Sequence, residues 1–275
     1  MAERYKLLVV GGDGRQLECA QTLADRFDVS VTGFEDGDIT DEPGVTCASP
    51  FERGCYDCAV LPMNIDGDVL RSAMKLVKQD GLVIYGKAPL NSGELFASRE
   101  AVSLLECEDF VIKNAALTAE GAMNIAMNEL DCSLRGLSVL IAGMGRIGAA
   151  LADMLKALGA DVTVAVRNAR GEARAYVSGV RSVRTEDIDG GYALVFNTVP
   201  EMIFDAERLG RLGCGTIIID LASKPYGTDF VAADRLGVRA MTAPGLPAVY
   251  APATAGKIAA ETVSTVISER SVSYE

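Results

Sequence analysis

Leu137-Ser-Val-Leu-Ile-Ala-Gly143-Met-Gly145-Arg-Ile-Gly148-Ala-Ala-Leu-Ala-Asp-Met-Leu155 is the stretch that decides the fold. An apolar run delivers the chain into Gly-x-Gly-x-x-Gly, and apolar residues at helical spacing follow at once. Strand, turn and helix thus stand in the order a dinucleotide-binding turn requires. In such a turn Gly143 permits the tight reversal, Gly145 lets a pyrophosphate approach the backbone, and Gly148 lets the helix sit close on the strand. Arg146 and Ile147 then offer the free N–H groups of the helix N-terminus to phosphate oxygens. The spacing predicts a cofactor site made of Gly143, Gly145, Arg146, Ile147 and Gly148.

Choice of dinucleotide falls to the end of the next strand, Asp161-Val-Thr-Val-Ala-Val166. An acid there would accept hydrogen bonds from a free ribose 2′-hydroxyl, whereas a cation attracts a 2′-phosphate. Arg167 and Asn168 follow the strand, with Arg170 close behind, so NADP is favoured over NAD.

Outward from this turn the chain alternates strand and helix, which implies parallel sheets. At 275 residues it exceeds one ordinary domain. We expect an α/β fold of two Rossmann-like parallel-sheet lobes with a cleft between them: a substrate lobe over 1–117, a linking helix over 118–135 and a cofactor lobe over 136–250. A helix over 254–275 is expected to return to the first lobe. Strands are read at Lys6–Val10, Val29–Gly33, Cys58–Leu61, Leu82–Tyr85 and Phe110–Lys113, with Thr118 capping the linking helix. Gly11-Gly-Asp-Gly14 reads as a degraded glycine turn, since counting from Gly12 the third glycine position is Leu17.

Bulk properties narrow the function. A net charge of −12 repels nucleic acid and anionic membrane. The opening apolar run, Leu7–Val10, is too short for a signal peptide, and a cytoplasmic protein is expected. Seven cysteines, an odd count, fit reduced thiols. Cys55 and Cys58 spell Cys-x-x-Cys but run into a strand instead of opening a helix, which argues against redox or metal chemistry. No histidine is present, so Ser-His-Asp and Cys-His catalysis are excluded, as is the imidazole chemistry of many 2-hydroxy-acid dehydrogenases.

Further strings act together: Gly11-Gly-Asp-Gly-Arg-Gln-Leu-Glu18, Leu117-Thr-Ala-Glu-Gly121, Asn197-Thr-Val-Pro200, Asp220-Leu-Ala-Ser-Lys-Pro225 with Gly227-Thr-Asp-Phe230, and Ala243-Pro-Gly-Leu-Pro247 followed by Ala251-Pro-Ala-Thr-Ala-Gly256. In this order, and over nearly the whole chain, they resemble the A-chain family of dipicolinate synthase from sporulating bacteria. The resemblance implies NADP-dependent oxidation of a dihydrodipicolinate-type precursor to pyridine-2,6-dicarboxylate in the mother cell. It also implies an oligomer with a smaller, flavoprotein-like second subunit. Ala248 and Ala253 depart from the family pattern, which carries Gly and Lys there.

On this reading Asn197, Thr198, Val199, Pro200, Leu221, Ala222, Gly245 and Pro247 join the cofactor site. Asp13, Arg15, Gln16, Thr118, Ser223, Lys224 and Thr254 bind the dicarboxylate, which needs positive or N–H donors in an acidic protein. Loss of hydride and a proton calls for a base, and Glu120, Lys224 and Asp13 are the candidates. Two other readings fit the same residues: a dehydrogenase of another small carboxylate, and a nucleotide-binding subunit without chemistry of its own.

Overall fold

The structure, a computed structural model, describes residues 4–34, 44–49, 53–87, 93–96 and 99–272. Two compact units emerge: Met1–Asn114 with Ala251–Glu275, and Ala115–Tyr250.

The first unit is laid down as β1 (Lys6–Val10), α1 (Gly14–Ala24), β2 (Asp28–Thr32), β3 (Val45–Cys47), β4 (Tyr56–Val60), α2 (Gly67–Met74), β5 (Val77–Tyr85), α3 (Gly93–Phe96) and β6 (Glu100–Ser103). The strands form a six-stranded sheet in the order β3-β2-β1-β4-β5-β6, parallel throughout. Successive side chains of a strand point to opposite faces. In β1, Leu7 and Val9 pack with Cys19 and Leu23 of α1, while Leu8 and Val10 pack with Leu70 and Met74 of α2. Both faces are covered, which is why the strand reads as an unbroken apolar run.

Helix α4 (Glu108–Glu129) begins in the first unit and ends in the second. It overturns two expectations. Phe110–Lys113 is helical, and Thr118 lies inside the helix instead of capping it. Phe-Val-Ile looks like a strand, but the buried positions Phe110, Leu117, Ala119, Ala122, Met123 and Ala126 recur at helical spacing. The outer strand of this sheet is instead Glu100–Ser103, short and partly polar, as edge strands are.

The second unit contains β7 (Ser138–Ala142), α5 (Arg146–Ala157), β8 (Asp161–Val166), α6 (Ala169–Val177), β9 (Arg181–Arg184), β10 (Leu194–Asn197), α7 (Ala206–Leu212), β11 (Ile217–Asp220), α8 (Phe230–Leu236), β12 (Arg239–Thr242) and α9 (Leu246–Tyr250). Its sheet, again parallel, runs β12-β11-β10-β7-β8-β9. Taken from β9 this is the strand order 3-2-1-4-5-6 of the Rossmann fold, and the first unit has the same order. Val139 and Ile141 join Leu151 and Leu155 of α5 on one face, while Leu140 joins Phe204 and Leu209 on the other.

Helix α10 (Pro252–Val272) belongs to the first unit, so the chain does return there. Its Ala260, Val263 and Ile267 enter the core beside α1. The two helices approach so closely that a Cβ on Gly256 would stand 2.5 Å from the carbonyl oxygen of Arg15. Thr262 Oγ1 donates to Asp109 Oδ2 at 2.9 Å, tying α10 to α4. Among the described residues, no helix is long and apolar enough to cross a membrane.

This close approach makes Gly256→Val destabilising. The clash is with backbone, and overpacking of that kind costs about 1–3 kcal/mol, more than the modest helix-propensity gain over glycine. Thermal unfolding should show a midpoint lowered by several degrees. Gly14→Ala is the control, since its added Cβ would make an ordinary 3.7 Å contact with Pro252. A midpoint that rises in Gly256→Val contradicts the close-packing account.

Candidate functional site

Where β7 gives way to α5, Gly143 adopts φ +97°, a left-handed conformation that favours glycine. Its N–H donates to the carbonyl of Ala165 at 2.9 Å. A Cβ on Gly143 would lie 2.6 Å from Thr198 Oγ1, and one on Gly148 would lie 2.1 Å from the carbonyl oxygen of Gly143. Any side chain at 148 would push α5 off β7. Gly145 is the N-cap of α5 and supplies no side-chain cap; a Cβ built on it meets nothing within 4 Å. The helix therefore starts with backbone donors beside open space, at the strand pair β7 and β10 where the sheet order reverses. Such a place suits an anionic phosphate. Ile147 is half-buried there and Arg146 is exposed.

One residue that sequence reasoning missed holds this turn from the side. Arg174 of α6 donates through Nη1 to the carbonyl of Met144 at 3.1 Å. Nothing local in the sequence announces a contact over 30 positions. Arg167, the first residue after β8, forms an ion pair with Glu201. Asn168 accepts from the N–H of Gly171 at 3.0 Å and so caps α6.

The turn after β10 is organised by a buried carboxylate. Asp220, fully buried, accepts from Asn197 Nδ2 at 2.9 Å, the Ala222 and Gly227 N–H groups at 3.0 Å each, and Thr228 Oγ1 at 2.7 Å. Asn197 is equally buried, and its amide also bridges the Val199 N–H and carbonyl. Its polar atoms hold the turn that presents Thr198, Val199 and Pro200. Thr198 Oγ1 in turn donates to the Ala142 carbonyl at 2.8 Å. A lone acid ending the run Ile217-Ile-Ile was the available signal for a buried network.

Beyond Asp220, Leu221 and Ala222 are buried, while Ser223 and Lys224 are exposed. Gly245, at φ +67°, has open space around it, and Pro247 lies buried in α9. Glu120 is exposed midway along α4.

In the first unit the structure joins Asp13, Arg15 and Gln16 at the start of α1. Gly11 donates to the Thr32 carbonyl at 2.7 Å, as Gly143 does to Ala165, and Asp13 caps α1 where Gly145 caps α5. Gly11 is therefore the counterpart of Gly143, and the third glycine position falls on Gln16, not Leu17. Gln16 Nε2 donates to the carbonyls of Val10 at 3.0 Å and Val60 at 3.4 Å, so this nitrogen is bonded inside the turn. Arg15 meets Asp13 in a two-pronged ion pair, with Nε to Oδ1 at 2.8 Å and Nη2 to Oδ2 at 2.5 Å. The hydrogen bonds from Arg15 hold the Asp13 carboxyl below its ordinary pKa, which makes it a poor base. The adjoining hollow, between Pro62, Phe110 and Ala255, measures about 20 Å³, room for about one water. Thr254 is exposed at the start of α10.

The Cys-x-x-Cys pair is split by its strand. Cys58 is fully buried in β4 and Cys55 is half-buried before it. Burial pushes the Cys58 thiol well up and raises Cys19 to about 12.

Comparison with known proteins places these features in a wider set. Residues 100–224 match the family model described as D-isomer specific 2-hydroxyacid dehydrogenase, NAD binding domain. The chain is 34% identical over 296 residues to the dipicolinate synthase A chain of Bacillus subtilis (strain 168), covering 98% of each. The crystal structure of the dipicolinate synthase A chain from Bacillus subtilis superposes with TM-score 0.88 at 30% identity, covering 99% of both chains. That of the corresponding dipicolinate synthase chain from Bacillus halodurans gives 0.86 at 28%, covering 97% of this chain and 98% of that one.

Two outcomes test the site. Gly145→Val should leave the circular dichroism unchanged, because its side chain enters open space, and lower the thermal midpoint by no more than loss of a favourable N-cap residue does, while abolishing dinucleotide binding in calorimetry. Undiminished affinity in the folded variant removes Gly145 from the site. Second, a thiol reagent at about pH 8 should label Cys47, Cys132 and Cys214 in the native protein but reach Cys19 and Cys58 only after denaturation. A Cys55–Cys58 disulfide on mild oxidation would restore the redox pair.

Proposed function

We propose that this chain, which belongs to the A-chain family of dipicolinate synthase, oxidises a dihydrodipicolinate-type precursor to pyridine-2,6-dicarboxylate with NADP as hydride acceptor. The observation that carries this reading is the end-to-end likeness to the Bacillus subtilis protein, 98% of each chain. The donor set is consistent with a dinucleotide: the backbone N–H groups at the start of α5 face open space at Gly145, and the turn tolerates no Cβ at Gly148.

When bound, the nicotinamide takes up the hydride. The chain's own part is to hold and orient. Gly143, Gly145, Arg146, Ile147 and Gly148 receive the pyrophosphate, with Thr198, Val199, Pro200, Leu221, Ala222, Gly245 and Pro247 around the rest of the dinucleotide. Arg167 beside Asn168 supports NADP through the charge of a 2′-phosphate. Ser223 and Lys224 offer donors to a carboxylate, as do Arg15, Thr118 and Thr254. Because the product ring is aromatic, positioning substrate supplies much of the rate, and Glu120 takes the departing proton, or Lys224 does so in place of binding the carboxylate. The protein works in the cytoplasm of a sporulating mother cell, as an oligomer with a smaller, flavoprotein-like partner. A 2-hydroxy-acid dehydrogenase is the less suitable reading, since the chain has no histidine.

The test supplies the purified chain with the precursor and NADP, alone and with the flavoprotein-like partner, and follows the reduced nicotinamide absorbance. Turnover in either mixture is expected; binding of NADP with none in both would make the chain a passive nucleotide-binding protein. Lys224→Ala should lower kcat/KM by roughly ten- to a hundredfold, the worth of a charge-assisted hydrogen bond, while sparing NADP affinity. Loss of NADP affinity instead would move Lys224 to the cofactor side.

A further inference from the structure

We infer that Glu201 is a specificity-determining residue, a built-in competitor that occupies Arg167 until a 2′-phosphate displaces it. The inference rests on the proposed NADP reading and extends it to a residue outside the glycine turn. Arg167 follows β8 directly, and Glu201 lies four residues past the end of β10. Strands β8 and β10 flank β7 on either side. An ion pair joining their two C-terminal turns therefore spans the C-terminal end of β7, beside the turn at Gly143 where a dinucleotide would lie.

The backbone that carries Glu201 is held in place. A Cβ on Gly227 would stand 2.4 Å from Asn197 Nδ2, 2.6 Å from the Val199 carbonyl oxygen and 2.7 Å from that of Glu201. Asp220 anchors the same segment from below by binding both Asn197 and Gly227. Glu201 is thus delivered to one side of Arg167 by a rigid turn. Both side chains are about half exposed, 54% for Arg167 and 61% for Glu201, so the guanidinium is open to exchange partners.

A carboxylate and a phosphate ask the same thing of a guanidinium, a pair of parallel N–H donors. Glu201 holds Arg167 through one contact, Nη1 to Oε2, which must break before a phosphate can take both prongs, and its remaining negative charge repels the phosphate afterwards. A free 2′-hydroxyl carries no charge and meets neither penalty. Glu201 accordingly lowers the preference for NADP over NAD below what Arg167 alone would confer. The size of the effect follows from exposed ion pairs, whose worth corresponds to about threefold in affinity.

The chain contains no tryptophan, so cofactor affinities are best read by calorimetry or from nicotinamide fluorescence. NADPH and NADH dissociation constants are measured for wild type, Glu201→Gln, Arg167→Gln and the double variant. Glu201→Gln should raise the NADPH-over-NADH affinity ratio about threefold. In the Arg167→Gln background, where only the repulsion remains, the same change should move the ratio clearly less. A ratio unchanged by Glu201→Gln, or shifted equally with and without Arg167, overturns the competitor role. A wild type that prefers NADH overturns the NADP reading itself, which the unmodified protein alone reveals.

Discussion

The second unit depends on how near the backbone of Gly148 lies to the Gly143 carbonyl, 2.1 Å for an imagined Cβ. That approach forbids a side chain at 148 and seats α5 directly against β7. It also brings the N-terminal N–H groups of α5 to the sheet edge at the point of order reversal. For a chain of net charge −12 this matters electrostatically. Backbone donors and the helix dipole supply local positive character for a phosphate without requiring a field that the whole protein would oppose.

The first unit meets the same constraint with a different residue. Gln16 stands where Gly148 stands in the second, and its amide bonds the ends of β1 and β4 through Val10 and Val60. Gly12 is crowded as well, with a Cβ there falling 2.8 Å from Pro62. Space that the second unit leaves open is filled in the first, and the helix start is occupied by the Asp13 cap and its ion pair with Arg15. Duplicated topology thus yields one turn fit for a pyrophosphate and one closed to it.

Central strands were legible because burial on both faces leaves long apolar runs, and the bounds of β1 and β8 coincide with the reading from sequence. The edges were not. Val45–Cys47, Glu100–Ser103 and Arg181–Arg184 are short and carry polar or charged residues, so no hydrophobic signal marks them. Phe110–Lys113 misled for the opposite reason, since three apolar residues in a row carry no period of their own. At the site, the glycine turn was legible because its residue types are set by close backbone approach. Arg174 and Glu201 were not, because their partners lie 30 and 34 positions away and only the folded sheet brings them together. The inward bonding of Asn197 was not legible either, as polarity alone does not distinguish a side chain facing ligand from one bonded inward.

That inward bonding bears on how a chain without histidine could drive the proposed chemistry. A buried carboxylate is costly to desolvate unless its lone pairs are answered, and Asp220 is answered by four donors from three short segments: Asn197, Ala222, and Gly227 with Thr228. Removing any one leaves the others bound to a poorly satisfied charge, so the segments are fixed together. Ser223 and Lys224 lie inside the loop that this network closes, and Thr198 and Val199 inside the turn it holds. If hydride transfer is governed chiefly by alignment of a ring with a nicotinamide, a rigid frame for both loops is worth more than a strong base, because small misplacements carry large rate penalties. The donors around Asp220 would then supply the alignment, with removal of the proton left to a separate base.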